Sequence, residues 1–267
     1  MSEVNLSSVC IDDNRFFALI DSALSEQGIS APIIRYCQEN EANFLNCLIW
    51  LDSREGHCPL AENALRCAVL ELSKRVSFIH AFHGCRVTPD SEYCTEGIQP
   101  PSREWVERQI VKWAGELPTA GSEADRLLQD YLSQHTGKVW AAKSLLFHQN
   151  RGGYCHAIKS ETLHNVLRSQ SPVALARYLE TGEPSIIEFR IPTTQLTPKV
   201  WENFVSDLLR IWLKNHCQYP GRGDPREGGI VLDRVVSPSW LIQRHCCDEN
   251  GKLTGIRYPL PTLCGKD

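Results

Sequence analysis

The stretch that most constrains this chain runs from Val76 to Pro101. It opens with an apolar run, Val76 to Phe82, and turns polar at His83-Gly84-Cys85-Arg86. A short apolar run bounded by glycine reads as a buried strand. A strand ending in His-Gly makes a ligand seat, because the glycine lets another molecule lie against the backbone while the imidazole offers hydrogen-bonding groups beside it. Pro89-Asp90-Ser91 then starts a short helix with Asp90 or Ser91 as its cap. Gly97 stops that helix before Ile98-Gln99-Pro100-Pro101. The local plan is strand, His-Gly turn, short helix, glycine stop. A histidine on its own is more often a core residue satisfied by a carbonyl. The glycine, the arginine and the second glycine around His83 tip this one toward a ligand.

The rest of the chain gives that seat its setting. At 267 residues it suits one domain with an accessory part, or two small ones. A net charge of −4 supplies no field that would draw it onto nucleic acid or anionic lipid. No apolar stretch reaches the ~18 residues that span a bilayer, so no membrane insertion is expected. Met1 to Asp13 is too polar and acidic for a secretory signal, which makes a cytoplasmic location the expectation. The 12 cysteines include no C-x-x-C pair and are expected to be free, mostly buried thiols. Zinc sets built from His245, Cys246, Cys247 and Cys264, or from His57, Cys58 and Cys67, lack the two closely spaced ligand pairs of structural sites.

Residues 1–74 read as a helical segment and 75–267 as the catalytic part. Helices are expected over Asn14 to Leu24, from Pro32 to Ile49 with a break near Asn40, and over Ala61 to Lys74. The segment is either a helical cap or a module that binds a partner protein. Further helices are expected over Glu104 to Ala114, with Trp105, Ile110 and Trp113 as the apolar face, and over Glu123 to Gln134. Another follows Thr197-Pro198, with Trp201 and Trp212 in its core stripe. Strands are expected at Val76 to Phe82, Lys138 to Phe147, Glu183 to Ile191 and Ile230 to Leu232, with an Asn250-Gly251 hairpin turn before a strand Ile256 to Leu260.

Two further constellations stand out. Gly153-Tyr154 leads to Ser160, which can cap the helix through Leu163 and Val166. Gly221-Arg222-Gly223-Asp224-Pro225-Arg226-Glu227-Gly228-Gly229 is a glycine-rich loop with a carboxylate at the mouth of an apolar strand, a common way to hold an acid at a cleft edge. Glu188, between Ile187 and Phe189, alternates onto the solvent face. No G-x-G-x-x-G, Walker A or G-x-S-x-G motif is present.

His83, Gly84, Arg86, Gly97 and Ile98 together resemble the ADP-ribosyltransferase superfamily, whose poly-type members carry H-G-x-R on a strand and then a helix and G-[IL]. The family's G-x-Y-F-[AS] run is not reproduced at Tyr154, and two glycines separate Glu227 from its strand. The resemblance implies an α+β fold with a split, mixed sheet of ADP-ribosyltransferase type. It implies NAD as substrate and transfer of ADP-ribose to a protein or nucleic-acid acceptor, as bacterial effectors and defence toxins do, with delivery into a host or target cell as the second location. It makes His83 and Glu227 catalytic, and gives NAD binding to His83, Gly84, Arg86, Tyr154 and Ser160. An RNA 2′-phosphotransferase-like enzyme, which needs Arg86, Arg151 and Arg222 to converge, and an inactive binding scaffold are the alternatives.

Overall fold

The structure, a computed structural model, describes residues 7–88, 91, 93–149, 161–218 and 224–260. Strand β1 (Ser8–Val9) precedes four helices, α1 (Phe16–Glu26), α2 (Ser30–Glu39), α3 (Glu41–Ser53) and α4 (Pro59–Arg75). Strand β2 (Phe78–Val87) leads to α5 (Tyr93–Glu96), α6 (Arg103–Ala114) and α7 (Glu123–His135). After β3 (Val139–Ala142) come α8 (Glu161–Gln170), α9 (Pro172–Thr181), β4 (Glu183–Pro192) and α10 (Pro198–Cys217). The chain then gives β5 (Gly229–Leu232), β6 (Leu241–Cys247) and β7 (Leu253–Pro259). The fold is α+β. Its sheet of seven strands runs β5-β3-β2-β4-β6-β7, with β1 paired to β2. The β1–β2 pair is parallel, whereas β2–β3, β3–β5, β4–β6 and β6–β7 are antiparallel.

The chain divides into two compact units, one of residues 1–80 with 191–228 and the other of 81–190 with 229–267. The first is helical. Phe16, Leu19, Ile20, Ala23 and Leu24 recur at the three- and four-residue spacing of a helix, which makes one buried face of α1. Asn40 separates α2 from α3, and its side chain accepts from the Asn43 amide at 2.9 Å, a cap that explains the break. On α10, Trp212 is fully buried, and its indole N–H donates to Asp21 at 2.9 Å. The Trp201 indole donates to Ser73 at 2.8 Å, so the tryptophan stripe is core with each polar handle satisfied.

The second unit holds the main part of the sheet and a helical core of its own. Val106 and Ile110 of α6, Leu128 and Leu132 of α7, Leu163 and Leu167 of α8, and Tyr178 of α9 pack as one cluster. Ser102 caps α6, accepting from the Trp105 amide at 3.1 Å, and Gly115 ends it at φ +86°. Ser122 caps α7 in the same way, accepting from the Asp125 amide at 3.1 Å.

Several local expectations change. The apolar run does not break at His83-Gly84, because β2 continues through both residues to Val87. Strand β3 ends at Ala142, and Leu146–Gln149 form a 3₁₀ turn. The expectation that all the cysteines are free fails at Cys94, which is disulfide-bonded, whereas Cys10, Cys37, Cys47, Cys58, Cys67, Cys85, Cys217, Cys246 and Cys247 are free.

Candidate functional site

The second unit contains a cavity of about 690 Å³, within the range of ~300–1,000 Å³ that small-molecule sites occupy. His83, Gly84 and Arg86 of β2 line it, as do Gly97 and Ile98 beyond α5. All five residues of the H-G-x-R and G-I pattern thus meet at one concave surface.

Strand β2 presents His83 half-buried, and the ring donates from Nδ1 to the Trp140 carbonyl of β3 at 2.8 Å. A carbonyl only accepts, so Nδ1 carries a hydrogen. In its neutral form such an imidazole can accept a hydrogen bond through Nε2. Two residues on, the side chain of Cys85 is buried, and burial pushes its thiol up to about 11. The Tyr93 phenol beside it is raised well above its ordinary value, first by burial and then by Cys85. Both are neutral, so they bring no charge to this part of the wall.

Arg86 is buried. Its guanidinium donates to the carbonyls of Leu179 and Gly182 and lies 3.9 Å from Glu249. It therefore ties β2 to the end of α9, while desolvation lowers its pKa. Gly182 makes this possible, because a Cβ there would meet Cβ of Arg86 at 3.1 Å. Asp90 and Glu92, the other acids near Arg86 in the sequence, lie outside the described residues.

Gly97 stands at φ +74°, where a Cβ would lie 1.9 Å from the Val236 carbonyl oxygen. Only glycine lets the chain close there, and Ile98 and Val236 then exchange two backbone hydrogen bonds of 3.0 Å. The stop after α5 is thereby clamped to the loop before β6.

Tyr154, Ser160, Arg151 and Arg222 lie outside the described residues. Glu227 ends the short 3₁₀ turn Pro225–Glu227 with its side chain exposed, and it belongs to the first unit. Glu188 does not face solvent. It is buried and accepts from Nε2 of His245 at 2.8 Å and from Nε2 of Gln243 at 2.6 Å. Alternation misplaces it because Pro184 to Phe189 are buried on both faces of β4. The His245 ring lies 6.5 Å from that of Phe82, a cavity-lining residue.

Sequence reasoning alone misses much of the wall. His148, buried, donates from Nε2 to the Phe82 carbonyl at 3.3 Å. Trp105, Gln109 and Trp113 line the cavity from one face of α6, whereas Val106 and Ile110 form its buried face. The signal is present in the four-residue spacing of Trp105, Gln109 and Trp113, but an apolar tryptophan is read as core first. Among the described residues, no group of three or more His, Cys, Asp or Glu side chains could hold a metal ion. No helix among them is long and apolar enough to cross a membrane. No family model, curated protein or solved structure matches the chain.

Proposed function

We propose that the protein is an NAD-dependent ADP-ribosyltransferase whose sheet is of the split, mixed type that the resemblance implies, and that it modifies a protein or nucleic-acid acceptor. The observation that carries this reading is the meeting of His83, Gly84, Arg86, Gly97 and Ile98 in the wall of one cavity of ligand size. In this reading Nε2 of His83 accepts from a ribose hydroxyl, and the Gly84 backbone holds the nicotinamide amide. Arg86, whose guanidinium donates to the Leu179 and Gly182 carbonyls, shapes the wall of the same cavity.

Cleavage of the nicotinamide–ribose bond develops an oxocarbenium ion, and a carboxylate that meets this charge acts mainly in the transition state. The resemblance gives this role to Glu227, and Glu188 is the buried rival. The test is to incubate the chain with labelled NAD and a mixed protein and nucleic-acid extract, alongside the variants Glu227→Gln, Glu188→Gln and His83→Ala. Glu227→Gln is expected to keep NAD affinity within a few-fold and to lose most transfer, while His83→Ala weakens binding and turnover together. Loss of transfer in Glu188→Gln but not in Glu227→Gln moves the acid to Glu188. No NAD binding in calorimetry and no label transfer would end the transferase reading in favour of a binding scaffold.

A further inference from the structure

Part of the cavity wall is aromatic in a way that the chemistry around His83 does not use. On α7 the rings of Tyr131 and His135 stack at 4.4 Å and 11°, and Trp140 of β3 follows 5.4 Å from His135 at 54°. Trp105 of α6 completes the set. Trp105 is 40% exposed and Trp140 46%, although both line the cavity. Val106 and Ile110, one and five positions after Trp105 on the same helix, are fully buried. The core of α6 is therefore complete without Trp105. Large planar faces left to water at a cavity wall gain free energy when another flat ring covers them.

Polar groups in the same wall specify the kind of ring. The amides of Gln109 and Gln134 line it, and an amide presents the paired donor and acceptor that the N6/N7 edge of adenine requires.

We propose that the wall formed by Trp105, Tyr131, His135 and Trp140 is the seat of an adenine base, stacked on the indoles and read by the glutamine amides. The inference deepens the proposed function and rests on it for the source of the base, the adenosine half of NAD. It divides the cavity into an adenosine end on α6, α7 and β3 and a nicotinamide-riboside end at His83.

The experiment is calorimetry of the full chain with adenosine monophosphate, nicotinamide mononucleotide, NAD and a short single-stranded oligoadenylate. It compares the wild type with Trp105→Ala, Trp140→Ala and Trp140→Phe. Stacking of a base on an aromatic side chain is worth ~1–3 kcal/mol, so each alanine variant is expected to weaken adenosine monophosphate and NAD about 5- to 150-fold. Nicotinamide mononucleotide should change less than about two-fold, and Trp140→Phe should restore most of the loss. Both tryptophans are exposed, and unchanged melting temperatures will show that the variants fold. Adenosine monophosphate that does not bind, or binds both alanine variants as it binds the wild type, overturns the adenine seat. Oligoadenylate binding without mononucleotide binding overturns it too, by giving the wall to an acceptor strand. The two readings fail separately: tryptophan-dependent adenosine monophosphate binding without NAD cleavage sinks the transferase and keeps the seat. NAD transfer untouched by either tryptophan variant does the reverse.

Discussion

The hydrogen bond from Nδ1 of His83 to the Trp140 carbonyl means that β3 sets the orientation of the imidazole on β2. Backbone geometry does similar work at Gly97, where the left-handed φ and the approach of the Val236 carbonyl both demand glycine. These two demands can be separated by experiment. Gly115 has φ +86° but nothing within 4 Å of where a Cβ would stand, so Gly115→Ala should cost only the left-handed strain, about 1–2 kcal/mol in urea unfolding. Gly97→Ala should cost at least ~1 kcal/mol more and should also impair ligand binding, because relief of the clash must break the Ile98–Val236 bridge. Equal costs at the two sites would show that the close approach to Val236 is not needed. Glu188 is decided by its partners. Glu188→Ala leaves His245 and Gln243 facing an empty buried site and should cost about 1–3 kcal/mol, with Glu188→Gln milder.

At the scale of elements, the helices of the first unit are legible in the sequence because each combines an apolar face with a cap, as in α1 and at Asn40. The His-Gly pair beside an apolar run is a local signal too, and His83, Gly84 and Arg86 do line the cavity. Where β2 ends is not legible, because a glycine within a strand and one that ends it look alike until the neighbouring strand is known. Helix α9 goes unread although Ser171 caps it, accepting from the Ala174 amide at 3.2 Å, because its buried face is defined only by packing against other helices. The aromatic wall is hidden for the same reason. Pairing between elements is also what the sequence hides for the thiols of α3 and α4. Cys47 and Cys58, both buried, have sulfurs 2.8 Å apart, a spacing too short to bracket a zinc ion with bonds of ~2.3 Å and within about 1 Å of a covalent bond. Cys58 precedes α4, and its thiol is lowered to about 7, chiefly by Cys47 and then by the amides of Ala61 and Leu60. Diamide, which takes up two hydrogens as the thiols become a disulfide, should therefore link Cys47 to Cys58 before other free pairs. Peptide mapping that finds both still reduced while other cysteines are oxidised would contradict this.

For the molecule as a whole, these buried thiols set the response to alkali. Burial raises Cys85 to about 11 and Cys247 to about 12 in the second unit, and Cys217 to about 11 in the first. Hydrogen bonds with Cys37 and Cys58 hold Cys47 neutral as well. Each has a folded pKa above its unfolded value of about 9, so folding favours the proton-bound form. Their contribution to stability is complete below about pH 9 and is lost as pH rises through the folded values. Tyr93, raised well above its ordinary value by burial, adds to the loss at higher pH. Cys58 works in the opposite direction at lower pH: its folded value of about 7 lies below the unfolded one, so it adds stability as pH climbs from 7 to 9 and is ionised in both states beyond. Lys214, whose pKa burial lowers, offsets part of the alkaline loss because its neutral form is the one the fold accepts. Melting temperature should therefore hold or rise slightly up to about pH 9 and then fall, in oxygen-free buffer without reductant so that the Cys94 disulfide stays closed. A Cys85→Ala/Cys247→Ala variant, though less stable at neutral pH, should lose less between about pH 9 and 11 than the wild type does. Parallel curves for the two proteins would mean that these thiols ionise as easily folded as unfolded, and that the interior around β2 and β6 is open to water.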